Sequence, residues 1–272
     1  VYVSGASGGI WKTTNFLIKD PAGPTYHPLI DGASTYGLNI GSIAIFPRNN
    51  DPNQSIIFAA TGDSAAAGDP AIRGQAGTQR GIGFLKSTDG GATWTLLDSR
   101  DNSSLGSRDH FFASVDGQAG ITSYPIAVDP HLTPDGQVIV YAAISDIDGN
   151  GNLVPTGPKG GLWKSLDSGV HWTLMRGGQA TDLSLDYNSV NVTSKNLDFL
   201  YAAFRGDGVY FSPNAAQNFD LMTGNVGDPL IQDADFPQPQ PVSVFRAPPT
   251  TTPNGKPGRI VLAKPARKVN PD

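Results

Sequence analysis

The chain has 272 residues, enough for one large β domain or two small ones, and carries a formal net charge of −5. All 24 acidic residues are Asp, Glu and Cys are absent, and the 19 basic residues are scattered. This composition excludes thiol catalysis, disulfides and thiolate metal sites, offers no nucleic-acid footprint, and with no apolar run approaching about 18 residues excludes a membrane-spanning helix.

With 33 Gly, 22 Pro and Asp in place of Glu, the chain favours turns over helices, so short strands are expected throughout. Residues 1–4 alternate as a strand, 5–9 turn, 10–14 form a second strand, and 25–30 close the group after a loop with Pro21 and Pro24. Because residue 1 already reads as strand, the expectation is a chain that starts inside a fold, with any targeting segment upstream. The second group runs 40–46, then 55–61 after the Asp51-Pro52-Asn53 turn, 83–86 after a long Gly/Ala loop, and 93–97. The third runs 123–128 up to a turn expected at Asp129-Pro130, then 138–144, 161–164 and 171–175. A fourth, degenerate group covers 181–186, 199–204, 208–211 and 219–222, and a fifth begins with 241–245 and 258–263. Pro237-Gln-Pro-Gln-Pro241 reads as an extended spacer.

Lys12, Lys86, Lys164 and Phe211 fall in register on the third strands, which makes the unit four strands with variable loops. Repeated four-stranded units point to an all-β β-propeller of antiparallel blades, each burying its faces on its neighbours. The expected blades are 1–37, 38–120, 121–178 and 179–225, with a partial one at 226–272, as an incomplete portion of a larger propeller. A two-sheet sandwich is the rival, but it does not require one turn chemistry to recur at one strand.

That recurring turn is Ser87-x-Asp89-x-Gly91-x-x-Trp94 and again Ser165-x-Asp167-x-Gly169-x-x-Trp172. The Asp suits a tight turn by accepting backbone N–H bonds, Gly supplies positive φ, and the Trp folds over the hairpin. A structural staple on the blade periphery is therefore expected. The first blade's turn, 13–26, is interrupted by an insertion, and the fourth's, 212–219, has lost the Asp and the Trp.

These motifs resemble Asp-box, or BNR, repeats, which occur in sialidases, sortilin-like propellers, xyloglucan-cleaving glycosidases and a photosystem II assembly factor. With the Gly-Gly-Ile-Trp-Lys-Thr-Thr segment and the Asp-Pro-Asn turn, the bacterial sortilin-like group is the most similar. The resemblance implies a propeller on the outside of a cell, bacterial in origin. It departs from sialidases, whose Glu base and early Arg-Ile-Pro segment are missing.

In an antiparallel meander alternate connections share an edge. The long loops 62–82, 99–120, 145–160 and 223–240 then share one face, the expected place for a protein or carbohydrate partner. They collect Asp63, Asp69, Arg73, Arg80, Arg100, Asp101, Arg108, Asp109, His110 and Asp116. A glycoside hydrolase needs two carboxyl groups across the scissile bond, which Asp63 and Asp69, or Asp101 and Asp109, could supply. No motif assigns them, so a non-catalytic module for assembly or recognition, joined to the rest of a larger chain, is the first expectation. Asp146, Asp148, Asn150 and Asn152 match the first half of a Ca²⁺ loop, but the twelfth position is Gly157, so it is no EF-hand. A Ca²⁺ loop completed by distant Asp residues and a turn that binds nothing are the two readings. His27, His110, His131 and His171 form no metal pair, and the sequons at Asn53, Asn102 and Asn191 are silent in a bacterial protein.

Overall fold

The computed structural model describes residues 1–5, 8–30, 39–62, 81–102, 111–112, 122–145, 160–186, 199–204, 208–222 and 262. The chain divides into two compact units, Val1–Ala180 and Thr181–Asp272.

Among the described residues the first unit holds three sheets, antiparallel except where β8 joins the third. Sheet one is β1 (Tyr2–Gly5), β2 (Gly9–Lys12) and β3 (His27–Ile30) in that order. Sheet two is β4 (Ile40–Phe46), β5 (Ile56–Thr61), β6 (Phe84–Ser87) and β7 (Thr95–Leu96), again in chain order. The short strand β8 (Arg100–Asp101) then leaves sheet two and adds to the outer edge of sheet three. Sheet three is β9 (Thr122–Leu132), β10 (Val138–Ser145), β11 (Gly161–Ser165) and β12 (His171–Gly177), ordered β8-β12-β11-β10-β9. The meander β13 (Ala180–Asp186), β14 (Phe199–Phe204), β15 (Gly208–Ser212) and β16 (Asp220–Leu221) forms the fourth sheet, in the second unit. The strands follow the alternating apolar runs of the sequence, because a pleated strand sends successive side chains to opposite faces.

Register makes the repeat explicit. Tyr2 pairs with Lys12, Phe58 with Lys86 and Tyr141 with Lys164, and in each pair the ammonium lies over the ring at 5.4, 5.6 and 5.2 Å from its centroid. β1 is thus the counterpart of β5 and β10, and sheet one has three of the four strands. Within the first unit the step from sheet to sheet is the same. β4 packs on β9, and β5 meets β9 as β1 meets β4.

Among the described residues, two cores lie between these sheets. One joins Ile10 and Ile30 of sheet one to Ile40, Ala59 and Leu85 of sheet two. The larger joins Phe58 and Phe84 of sheet two to Val140, Trp163 and Trp172 of sheet three, with Phe111 and Phe112 between them. Phe112 meets Phe84, Trp163 and Trp172 edge-to-face at 5.1, 5.4 and 5.5 Å. The segment 99–120 is expected to be loop throughout. Its Phe111-Phe112 pair instead drops into the core, and its start is strand β8.

The Asp51-Pro52-Asn53 turn is a 3₁₀ turn of Pro52–Gln54, capped by the Asp51 carboxylate on the Asn53 amide at 2.9 Å. The expected turn at Asp129-Pro130 is not one. Asp129 is 1% exposed and accepts the His131 amide at 2.7 Å, so β9 continues to Leu132 and the chain reverses at 133–136. There the Thr133 hydroxyl accepts the Gln137 amide, which supplies the turn chemistry that Asp129 spends within the strand.

Candidate functional site

The two Ser-x-Asp-x-Gly-x-x-Trp boxes close the β6–β7 and β11–β12 hairpins. In the first, the Ser87 hydroxyl donates to Asp89 at 2.8 Å and accepts the Gly91 amide at 2.8 Å. Asp89 in turn accepts the Thr93 amide at 2.9 Å and the Thr93 hydroxyl at 2.6 Å. The second repeats this to within a tenth of an ångström: Ser165 to Asp167 at 2.9 Å, the Gly169 amide to Ser165 at 2.8 Å, and the His171 amide to Asp167 at 2.8 Å. His171 Nδ1 lies 2.7 Å from the other Asp167 oxygen, replacing the Thr93 hydroxyl. Each indole donates back to its own turn, Trp94 to the Gly91 carbonyl at 3.0 Å and Trp172 to the Gly169 carbonyl at 2.9 Å.

The fourth-sheet turn keeps the same wiring with other residues. Ser212 donates to Asn214 at 3.1 Å and accepts the Ala216 amide at 2.9 Å, while Asn214 accepts the Asn218 amide at 2.9 Å. In the first sheet Thr13 donates to Asn15 at 2.8 Å, and Asn15 accepts the Thr25 amide at 3.0 Å across the inserted residues. An Asn carbonyl oxygen can do what an Asp oxygen does toward an amide. The loss of the carboxylate did not mean loss of the turn.

The carboxylates are held ionised by these bonds. The Thr93 hydroxyl, then its amide, then Ser87 pull Asp89 down to about 2. For Asp167 burial pushes upward, but the His171 amide and ring and the Ser165 hydroxyl outweigh it, leaving the group below the ordinary range. A folded-state value depressed below the unfolded one stabilises above about pH 4 and loses that contribution as pH falls toward 2. Asp89→Asn, whose amide nitrogen cannot accept from the Thr93 hydroxyl, is therefore expected to melt below wild type at pH 7 and to close that gap as pH falls from 4 to 2. Asp89→Ala is expected to melt lower at pH 7. Thermal unfolding across that pH range checks both.

The boxes also join sheets. Lys12 and Tyr2 of sheet one donate to the Gly90 carbonyl of the first box at 3.3 and 3.0 Å. Lys86, at the position of Lys12, reaches the Ser168 carbonyl of the second box at 3.5 Å. Burial lowers the Lys86 pKa, and the Asp167 charge partly restores it. Gly169 packs on Leu97 and Phe58, and Trp172 is fully buried between sheets two and three. The staple was expected on the periphery. The second box is instead an inter-sheet joint through its buried Trp172, while Leu166 and Val170 are exposed and the Asp167 and His171 side chains stay partly open to solvent.

At the ends of the strands opposite the boxes, the long connections leave from fastened necks. Thr61 Oγ1 accepts the Ile82 amide at 2.8 Å and donates to the Gly83 carbonyl, and the Gly62 amide donates to Asn39, closing the base of 63–80. Ser145 donates to Gln179 at 2.7 Å and the Gly178 amide to the Gly160 carbonyl, closing the base of 146–159. Of the residues those loops were expected to collect, Arg100 and Asp101 are in β8. Asp101 pairs with Trp172 in parallel register and is 2% exposed, and the Arg100 amide donates to the Val170 carbonyl at 2.6 Å. Asp63, Asp69, Arg73, Arg80, Arg108, Asp109, His110 and Asp116 lie outside the described residues, as do Asp146, Asp148, Asn150 and Asn152. Among the described residues no three His, Asp or Glu side chains gather at one point, and no helix is long and apolar enough to cross a membrane.

No protein-family profile and no curated protein matches the chain. Among solved structures, a Niastella koreensis GH74 enzyme aligns with a TM-score of 0.45 at 18% identity, over 82% of this chain and 27% of that one. The chain spans about a quarter of that enzyme's length.

Proposed function

We propose that the chain is part of an Asp-box β-propeller that acts as a non-catalytic recognition or assembly module on the bacterial exterior. Its ligand-binding face is the one that carries the long loops. The observation that supports this most is the commitment of the boxes. Asp89 and Asp167 spend their oxygens on amides, a hydroxyl and an imidazole of their own turns, and the turns themselves receive the lysines of the preceding sheet. The repeated motif is then scaffold, and function falls to loops set on rigid necks. The repeated step from sheet to sheet within the first unit supports the propeller reading.

A glycan and polysaccharide panel tests the proposal. The expected result is saturable binding of a polymer or protein without release of reducing sugar, unaffected by Asp101→Asn. Asp101 is too buried to meet a substrate, so that variant separates fold effects from chemistry. Release of reducing sugar that disappears in Asp63→Ala or Asp109→Ala would replace this reading with a glycoside hydrolase using an Asp pair.

A further inference from the structure

We draw no further inference here: the strongest candidate, the surface patch of Phe16, Leu17 and Ile18 exposed on the turn between β2 and β3, is an unpartnered apolar face, and nothing in the structure shows what covers it.

Discussion

Trp172→Ala should cost the fold about 3–5 kcal/mol, the range for deleting a fully buried large aromatic. The indole is 0% exposed, stacks on Phe84 at 4.8 Å with planes 24° apart, and meets Phe112 edge-on at 5.5 Å. It also donates to the Gly169 carbonyl at 2.9 Å, so truncation removes a hydrogen bond as well as opening a cavity. The surrounding rings cannot collapse into the space, since Phe84 and Phe112 are held from sheet two and from the segment after β8. Urea unfolding of the variant should show a much lower midpoint with an unchanged slope. Trp172→Phe keeps the ring contact and loses the N–H donor, and should cost about 1–2 kcal/mol. Trp94→Ala, at the same box position but half-buried, should fall well short of Trp172→Ala. Equal losses at the two tryptophans would refute an inter-sheet role for the second box.

Gly90→Ala should destabilise by about 2–4 kcal/mol, combining backbone strain with overpacking. The equivalent position in the second box is Ser168, a non-glycine residue at φ 61°, and in the fourth sheet it is Ala215 at φ 56°. Positive φ alone is therefore not what demands glycine at Gly90, where φ is 67°. The demand comes from outside the turn. A Cβ there would overlap the Pro52 carbonyl oxygen and lie 2.9 Å from Asn53 Cα, both on the backbone of the capped 3₁₀ turn. Backbone held by the Asp51 cap cannot step aside as a side chain could. In the second box the same space admits a side chain that works: Ser168 Oγ donates to Gln137 at 2.8 Å and accepts the Val138 amide at 3.0 Å. Ser168→Gly should accordingly cost about 1–2 kcal/mol through the lost bonds. Ranking the two variants by thermal unfolding checks the argument. A Gly90→Ala loss no larger than that of Ser168→Gly would show that the Pro52 turn yields.

Much of the fold was legible because it rests on local rules. Alternation placed the strands, and Ser-x-Asp-x-Gly-x-x-Trp placed two hairpins, since an Asp that accepts amides two to four residues on needs nothing from the rest of the chain. The same logic accounts for the other two turns, at 13–26 and 212–219. Asn214 and Asn15 offer the same oxygen as Asp89, and Ser212 and Thr13 the same hydroxyl. As a letter pattern the motif is interrupted at 13–26 and degenerate at 212–219, but as an acceptor two residues after a hydroxyl it is intact at both. Asp129 misled in the opposite direction. Asp-Pro is a good turn signal, yet this Asp serves His131 inside a strand because its side chain is almost fully enclosed.

By itself the sequence determined an all-β chain of four-stranded repeats, the third-strand register of Lys12, Lys86, Lys164 and Phe211, and the internal wiring of the boxes. Tertiary structure decided which faces meet, and no local rule could supply that. Only packing reveals that the second box is a joint between sheets, that Phe111-Phe112 leaves its loop for the core, and that Asp101 is sealed beside Trp172. These depend on contacts between residues tens of positions apart, where the area buried on a neighbouring sheet outweighs the local preference for loop or turn.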